Sequence, residues 1–99
     1  MNDSRRNLDR SLHAVADPTR RRILRALAER DGCSIERPVG LCGSDIETRV
    51  QVSHSTVSHH MAILCRAGLV EATKVGSWMW YRRNESALRQ FLESLRVQL

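Results

Sequence analysis

The sequence predicts a mainly α-helical fold with one small β-hairpin, on three observations. Apolar residues recur at helical spacing in several stretches, as at Leu8, Leu12 and Val15 or at Val57, Met61 and Leu64. Strand-favouring residues gather in "LVEATKVGSWMWYRR", around a turn at Val75-Gly76-Ser77. Two short helical stretches, from Ser44 and from Ser53, follow one another with only a few residues between them.

The first helix is carried by "SRRNLDRSLHAVA", whose apolar stripe is Leu8, Leu12 and Val15 and whose other faces hold Arg5, Arg6, Asp9 and Arg10. In "ADPTRRRIL", Asp17 is a natural N-cap and Pro18 occupies the first helical position, where its missing N–H costs nothing. A second helix runs from there to about Arg30, with Ile23, Leu24 and Leu27 toward the core. "DGCSIERPVGLCG" has no helical period and reads as a connection or a short extended piece. Ser44 with Glu47 has the spacing of a capping box for the helix "SDIETRV". Ser53 caps the next helix, which ends at Gly68. After the hairpin, with Trp78, Trp80 and Tyr81 on its second strand, "SALRQFLESLRVQL" closes the chain with Leu88, Leu92, Leu95 and Leu99 on one face. A helix-turn-helix followed directly by a basic hairpin is a winged helix-turn-helix.

Composition narrows the function. The 99 residues, 41% hydrophobic, suit one domain spanning 1–99. No leader and no apolar run near the roughly 20 residues that cross a bilayer are present, so a cytoplasmic protein without a membrane partner is expected. The net charge is +5, and 15 of the 16 basic residues are arginine, whose planar fork suits phosphate. Three cysteines, Cys33, Cys42 and Cys65, fit no set of paired structural disulfides and point to free thiols, ligands or redox sensors.

The densest cluster of polar side chains is "SHSTVSHHM", residues 53 to 61. With Ser53 as the cap, Ser55, Ser58, His59 and Ala62 fall away from the apolar stripe of Val57, Met61 and Leu64. The polar residues, His54 and Thr56 among them, crowd the first turns, where a recognition helix touches DNA. Short hydroxyls approach closely, and the thymine methyl can pack against Thr56 or Ala62. His54, His59 and His60 lack the i, i+4 spacing of a metal site on a helix. Ser58 and His59 point to different faces with no acid partner, which argues against a hydrolase, and no enzyme activity is expected. His60, three residues after Val57, reads as a partly buried histidine with a backbone partner, and His13 as structural.

"ADPTRRRILRAL", "VSHSTVSHHMAILCRAGLV" and "KVGSWMWYR" together resemble the ArsR/SmtB family of bacterial metalloregulatory repressors, over roughly residues 12 to 95. The resemblance implies a winged-helix homodimer, joined through its first and last helices, that binds an inverted repeat in duplex DNA and leaves when an inducer binds. The apolar stripes on both terminal helices independently favour a dimer. By the same resemblance Ser55, Thr56, Ser58 and His59, in a helix entered at His54, meet the major groove, and Lys74 and Ser77 of the wing lie near the minor groove. Ser77 stands where many relatives carry a basic residue.

The arsenic-sensing branch carries Cys-x-Cys-Asp-Leu where this chain has "LCGSDI". Cys42 matches the first thiol and Ser44 replaces the second, so a thiolate site for As(III) or another thiophilic ion recruits Cys33, with Cys65 as a third candidate ligand. No resident cofactor is required. Asp45 offers a carboxylate or favours the helix dipole. A disulfide between Cys33 and Cys42, in a glycine-rich stretch beside Arg37, is the redox alternative, and plain packing the third. An RNA-binding winged helix or a dimeric adaptor would share the basic composition. The closing helix has no histidine, and Glu85 and Glu93 alone make a poor zinc site.

Overall fold

The computed structural model describes residues 2–31 and 40–99. Five helices and three strands follow in the order α1 (Asn2–Val15), α2 (Pro18–Asp31), β1 (Leu41–Cys42), α3 (Gly43–Val50), α4 (His54–Arg66), β2 (Val70–Val75), β3 (Trp78–Arg83) and α5 (Glu85–Gln98). Asp17 caps α2 as its sequence position predicts, with its carboxylate accepting from the Arg20 N–H at 3.0 Å. Ser53 caps α4 by accepting from the Thr56 N–H at 3.3 Å, and Asn84 caps α5 by accepting from Ala87 at 3.0 Å.

One local expectation is corrected. Ser44 and Glu47 form no capping box: α3 starts two residues earlier, with Cys42 rather than Ser44 at the N-cap and no side-chain cap bond. Glu47 is drawn instead to His54, 3.3 Å away at the start of α4. Of the stretch read as a connection or a short extended piece, Leu41–Cys42 is extended: as β1 it pairs antiparallel with β3, Leu41 opposite Tyr81 and Cys42 opposite Trp80, and joins the hairpin in the order β1-β3-β2. Two residues are too short for an alternating pattern to reveal a strand.

The core forms where α2, α3 and α4 converge on the base of the sheet. Ile23, Leu27, Leu41, Ile46, Met61, Leu64 and Leu69 are fully buried there. Val57, Met61 and Leu64 are the buried stripe of α4 that the sequence spacing predicts. Between α3 and α4 the chain turns at Gln51, in the left-handed conformation (φ 57°), whose N–H donates to the Glu47 carbonyl at 2.8 Å. The sheet projects away from this core, since Val70 is the one buried residue of β2.

The terminal helices pack on each other only in part. Among the described side chains of α1, Ser11 and Ala14 are buried, while Leu12 faces outward. On α5 Phe91 is buried, and Leu92 and Val97, with Leu99 just past the helix end, are exposed, at 61%, 66% and 96%. An apolar strip of both helices therefore stays uncovered in the single chain.

Candidate nucleic-acid interface

The polar face of α4 is built by its cap. Ser53 donates its hydroxyl to Thr56 Oγ1 at 2.9 Å while accepting the Thr56 N–H. This reciprocal contact fixes the first turn and leaves the remaining N–H groups there facing outward. His54, Ser55, Ser58 and His59 are exposed beside it, with Ala62 one turn further along. Thr56 is half-buried, and its Oγ1 accepts from the cap. Ser55 Oγ lies 3.3 Å from Ser53 Oγ. The result is a short, unobstructed ridge of small donors and acceptors above a fully buried apolar stripe.

The wing residues named from sequence, Lys74 and Ser77, are exposed on β2 and in the turn before β3. Glu71 and Arg82, directly opposite in the register, form a cross-strand ion pair at 3.3 Å. Trp78, at the wing tip, is 59% exposed, and sequence reasoning did not single it out as a contact residue. Its position in an aromatic strand concealed which ring faces out.

His60 takes a partner of a different kind from the backbone group its position predicts. Its Nδ1 lies 3.1 Å from Nη1 of the buried Arg20. Burial is the first cause that holds the His60 imidazole below its ordinary value; the positive charges of Arg20 and His59 act in the same sense, and Asp17 opposes them.

The three cysteines fall in different places. Cys33 lies outside the described residues. Cys42 is buried at the start of α3, where its Sγ donates to Asp45 Oδ2 at 3.2 Å and sits 3.2 Å from Ser44 Oγ. Cys65 is half-buried near the end of α4, and burial pushes its thiol pKa up, keeping it protonated at neutral pH. Among the described residues, no three His, Cys, Asp or Glu side chains gather closely enough to hold a metal ion. A site on Cys42 therefore needs a donor from outside them. No helix among the described residues is long and apolar enough to cross a membrane.

Known proteins match this architecture. A protein of Halobacterium salinarum, provisionally named the arsenical resistance operon repressor ArsR2, is 38% identical over 87 residues, 86% of this chain and 67% of that protein. The structure of an ArsR-like transcriptional regulator from Rhodococcus superposes with a TM-score of 0.75 at 27% identity, covering 95% of this chain and 80% of the other. The homodimeric winged helix-turn-helix DNA-binding domain of a Mycobacterium bovis protein superposes with a TM-score of 0.69 at 27% identity, over 93% of this chain and 78% of that one. The family model described as bacterial regulatory protein, arsR family, matches residues 17–72, from the cap of α2 into β2. The chain belongs to the arsR family of bacterial regulatory proteins, DNA-binding transcriptional regulators rather than enzymes.

Proposed function

We propose that this chain is a homodimeric repressor that reads an inverted repeat in duplex DNA and is released by a thiophilic metal or metalloid ion bound through Cys42 and Cys33. The observation that carries the DNA reading is the exposed ridge of Ser55, Ser58 and His59 on the first turns of α4, over the buried Val57, Met61 and Leu64. Such a helix presents hydroxyl and imidazole groups to base edges, and its open N-terminus to phosphate. Two copies joined along the uncovered strip of Leu12, Leu92 and Val97 set two such helices for successive major grooves, roughly 34 Å apart. The homodimeric state of the Mycobacterium bovis domain supports this assembly.

Inducer release follows from where Cys42 stands. It is the N-cap of α3, the helix that packs directly on α4, and it also pairs with Trp80 of the wing strand. Drawing its sulfur toward a bound ion and away from Asp45 moves the start of α3 and the root of the wing together. An ion that prefers the displaced geometry lowers operator affinity by linkage. Arsenical resistance in the Halobacterium relative favours As(III) as the ion.

The test is fluorescence anisotropy of the reduced protein on a labelled duplex from its own upstream region, with and without arsenite or cadmium. Selective binding that arsenite or cadmium releases in the wild type and not in Cys42→Ser is the expected result. Selective binding indifferent to both ions discards the thiolate inducer, and absence of selective binding discards the repressor.

A further inference from the structure

Arg20 is 6% exposed, which is unusual for arginine, and each of its guanidinium nitrogens has a partner. Nε donates to the Ala14 carbonyl at 2.6 Å and Nη2 to the His13 carbonyl at 3.0 Å, both in the last turn of α1. Nη1 lies 3.1 Å from Nδ1 of His60, in the second turn of α4. A guanidinium has no acceptor and stays charged, so Nη1 donates and Nδ1 accepts. The neutral imidazole then carries its proton on Nε2.

We propose that Arg20 is a positioning residue for DNA reading: through His60 it ties the end of α1 to the recognition helix, and the tie holds only while His60 is neutral. This rests on the DNA reading of α4 given above. His60 directly follows Ser58 and His59 in the chain, so a change in its seat changes the angle at which those two meet a base edge. Since α1 carries part of the uncovered apolar strip, the same tie passes its placement in a dimer to the reading face.

Protonating His60 sets donor against donor and breaks the tie. Among the described residues, three groups act on its charge: the Asp17 carboxylate at the α1–α2 junction, Arg20 on α2, and His59 on its own helix, with ring centroids 5.5 Å apart. Asp17 alone favours the cation. Any other effect of acidification on DNA binding is common to the wild type and its position-60 variants, so comparing them isolates His60.

The experiment compares the full chain with His60→Asn and His60→Leu by anisotropy on the upstream duplex, at about pH 7.5 and about pH 5.5 and one ionic strength. Asparagine offers Oδ1 where histidine offers Nδ1 and does not titrate; leucine offers no acceptor. His60→Asn is expected to bind within about threefold of wild type at the higher pH, while His60→Leu weakens about tenfold with an unchanged dimer mass. On acidification the wild type should lose affinity relative to His60→Asn, by less than about tenfold because burial and Arg20 hold its imidazole below the ordinary value. Equal affinities for wild type and His60→Leu, or identical pH profiles for wild type and His60→Asn, would overturn the proposal. Should His60→Leu fail to fold, nitrogen-detected NMR of wild-type His60 decides: the Nε2–H tautomer supports the tie, and the Nδ1–H tautomer refutes it. A wild type with no operator affinity at any pH removes the DNA reading and this role with it, whereas the NMR result reports on the contact alone.

Discussion

Arg22 donates from Nη2 to the carbonyl of Val50 across 2.9 Å, joining the first turns of α2 to the last turn of α3. The carbonyls in a helix's last turn have no partner within the helix, so this bond both caps α3 and fixes how it sits on α2. Removing the guanidinium leaves that carbonyl unpaired in a partly buried place. Arg22→Ala is expected to lower unfolding stability by about 1–2 kcal/mol in urea titrations. Arg25→Ala, at an exposed position one turn on, stays within about 0.5 kcal/mol.

The arginines also show how far the sequence was legible. Composition counts fifteen of them and points to phosphate, but three in a row, Arg20, Arg21 and Arg22, donate to helix-end carbonyls: Arg21 to Val15 at 2.6 Å, the others to His13, Ala14 and Val50. Arg83 donates to the Leu24 carbonyl, in the middle of α2, at 3.3 Å. A charge count cannot tell a guanidinium that binds a backbone carbonyl from one that faces a polyanion, because the difference lies in contacts as distant as 59 residues. Periodicity, by contrast, is local: the buried Val57, Met61 and Leu64 and the caps Asp17 and Ser53 were all readable from spacing. On the terminal helices spacing found the apolar stripes and could not say that Leu12 and Leu92 face out while Phe91 faces in. The displaced start of α3 was illegible for a related reason, since the β1–β3 pairing that fixes Cys42 is set by residues nearly forty positions away.

Acid sensitivity of the fold follows from the α1–α2 junction. The backbone bond from Arg20 is the first cause holding the Asp17 carboxylate below its ordinary 3.8; burial opposes it, and the charges of Arg20 and His60 add to it. A carboxylate with a depressed folded pKa contributes stability that is present above 3.8 and lost as pH falls through the folded value. His60, also depressed, has the same sign in a higher window: its contribution is full above 6.5 and lost as pH falls through its folded value. Asp17→Ala should cost about 1 kcal/mol at neutral pH, while Asp17→Asn keeps a cap and flattens only the lower window. Urea unfolding from about pH 7 down to about pH 3 checks both, and a wild-type profile with no slope in either window contradicts the assignment.

Gly40 is buried ahead of β1 with φ +94°, and a Cβ there would run into the Tyr81 carbonyl of β3. Both the backbone angle and the space exclude a side chain. Gly40→Ala is expected to cost about 2–4 kcal/mol, because strain and the displacement of β1 from β3 add. Gly76→Ala is the control: φ is +61° in the wing turn, but the space around it is open, so only the conformational penalty of about 1 kcal/mol applies. Melting temperatures of the two variants, measured side by side, should keep that order; equal losses would mean that the approach to Tyr81 carries no weight.

The ridge and the wing should fail differently when altered. Ser58 and His59 are exposed on α4, and His59 meets only the tilted His60 ring among the described residues, so Ser58→Ala and His59→Ala leave stability within about 0.5 kcal/mol. Each should nonetheless weaken specific operator binding by about 1–3 kcal/mol and relax selectivity at one base-pair position. Lys74, on the wing, offers a point charge and no base-reading geometry. Lys74→Ala is therefore expected to weaken specific and non-specific duplexes alike and to reduce the salt slope by about one. Anisotropy titrations across a salt series, on the operator and on a scrambled duplex, separate the two patterns. Loss of selectivity on altering Lys74, together with indifference at Ser58 and His59, would move base reading from the helix to the wing.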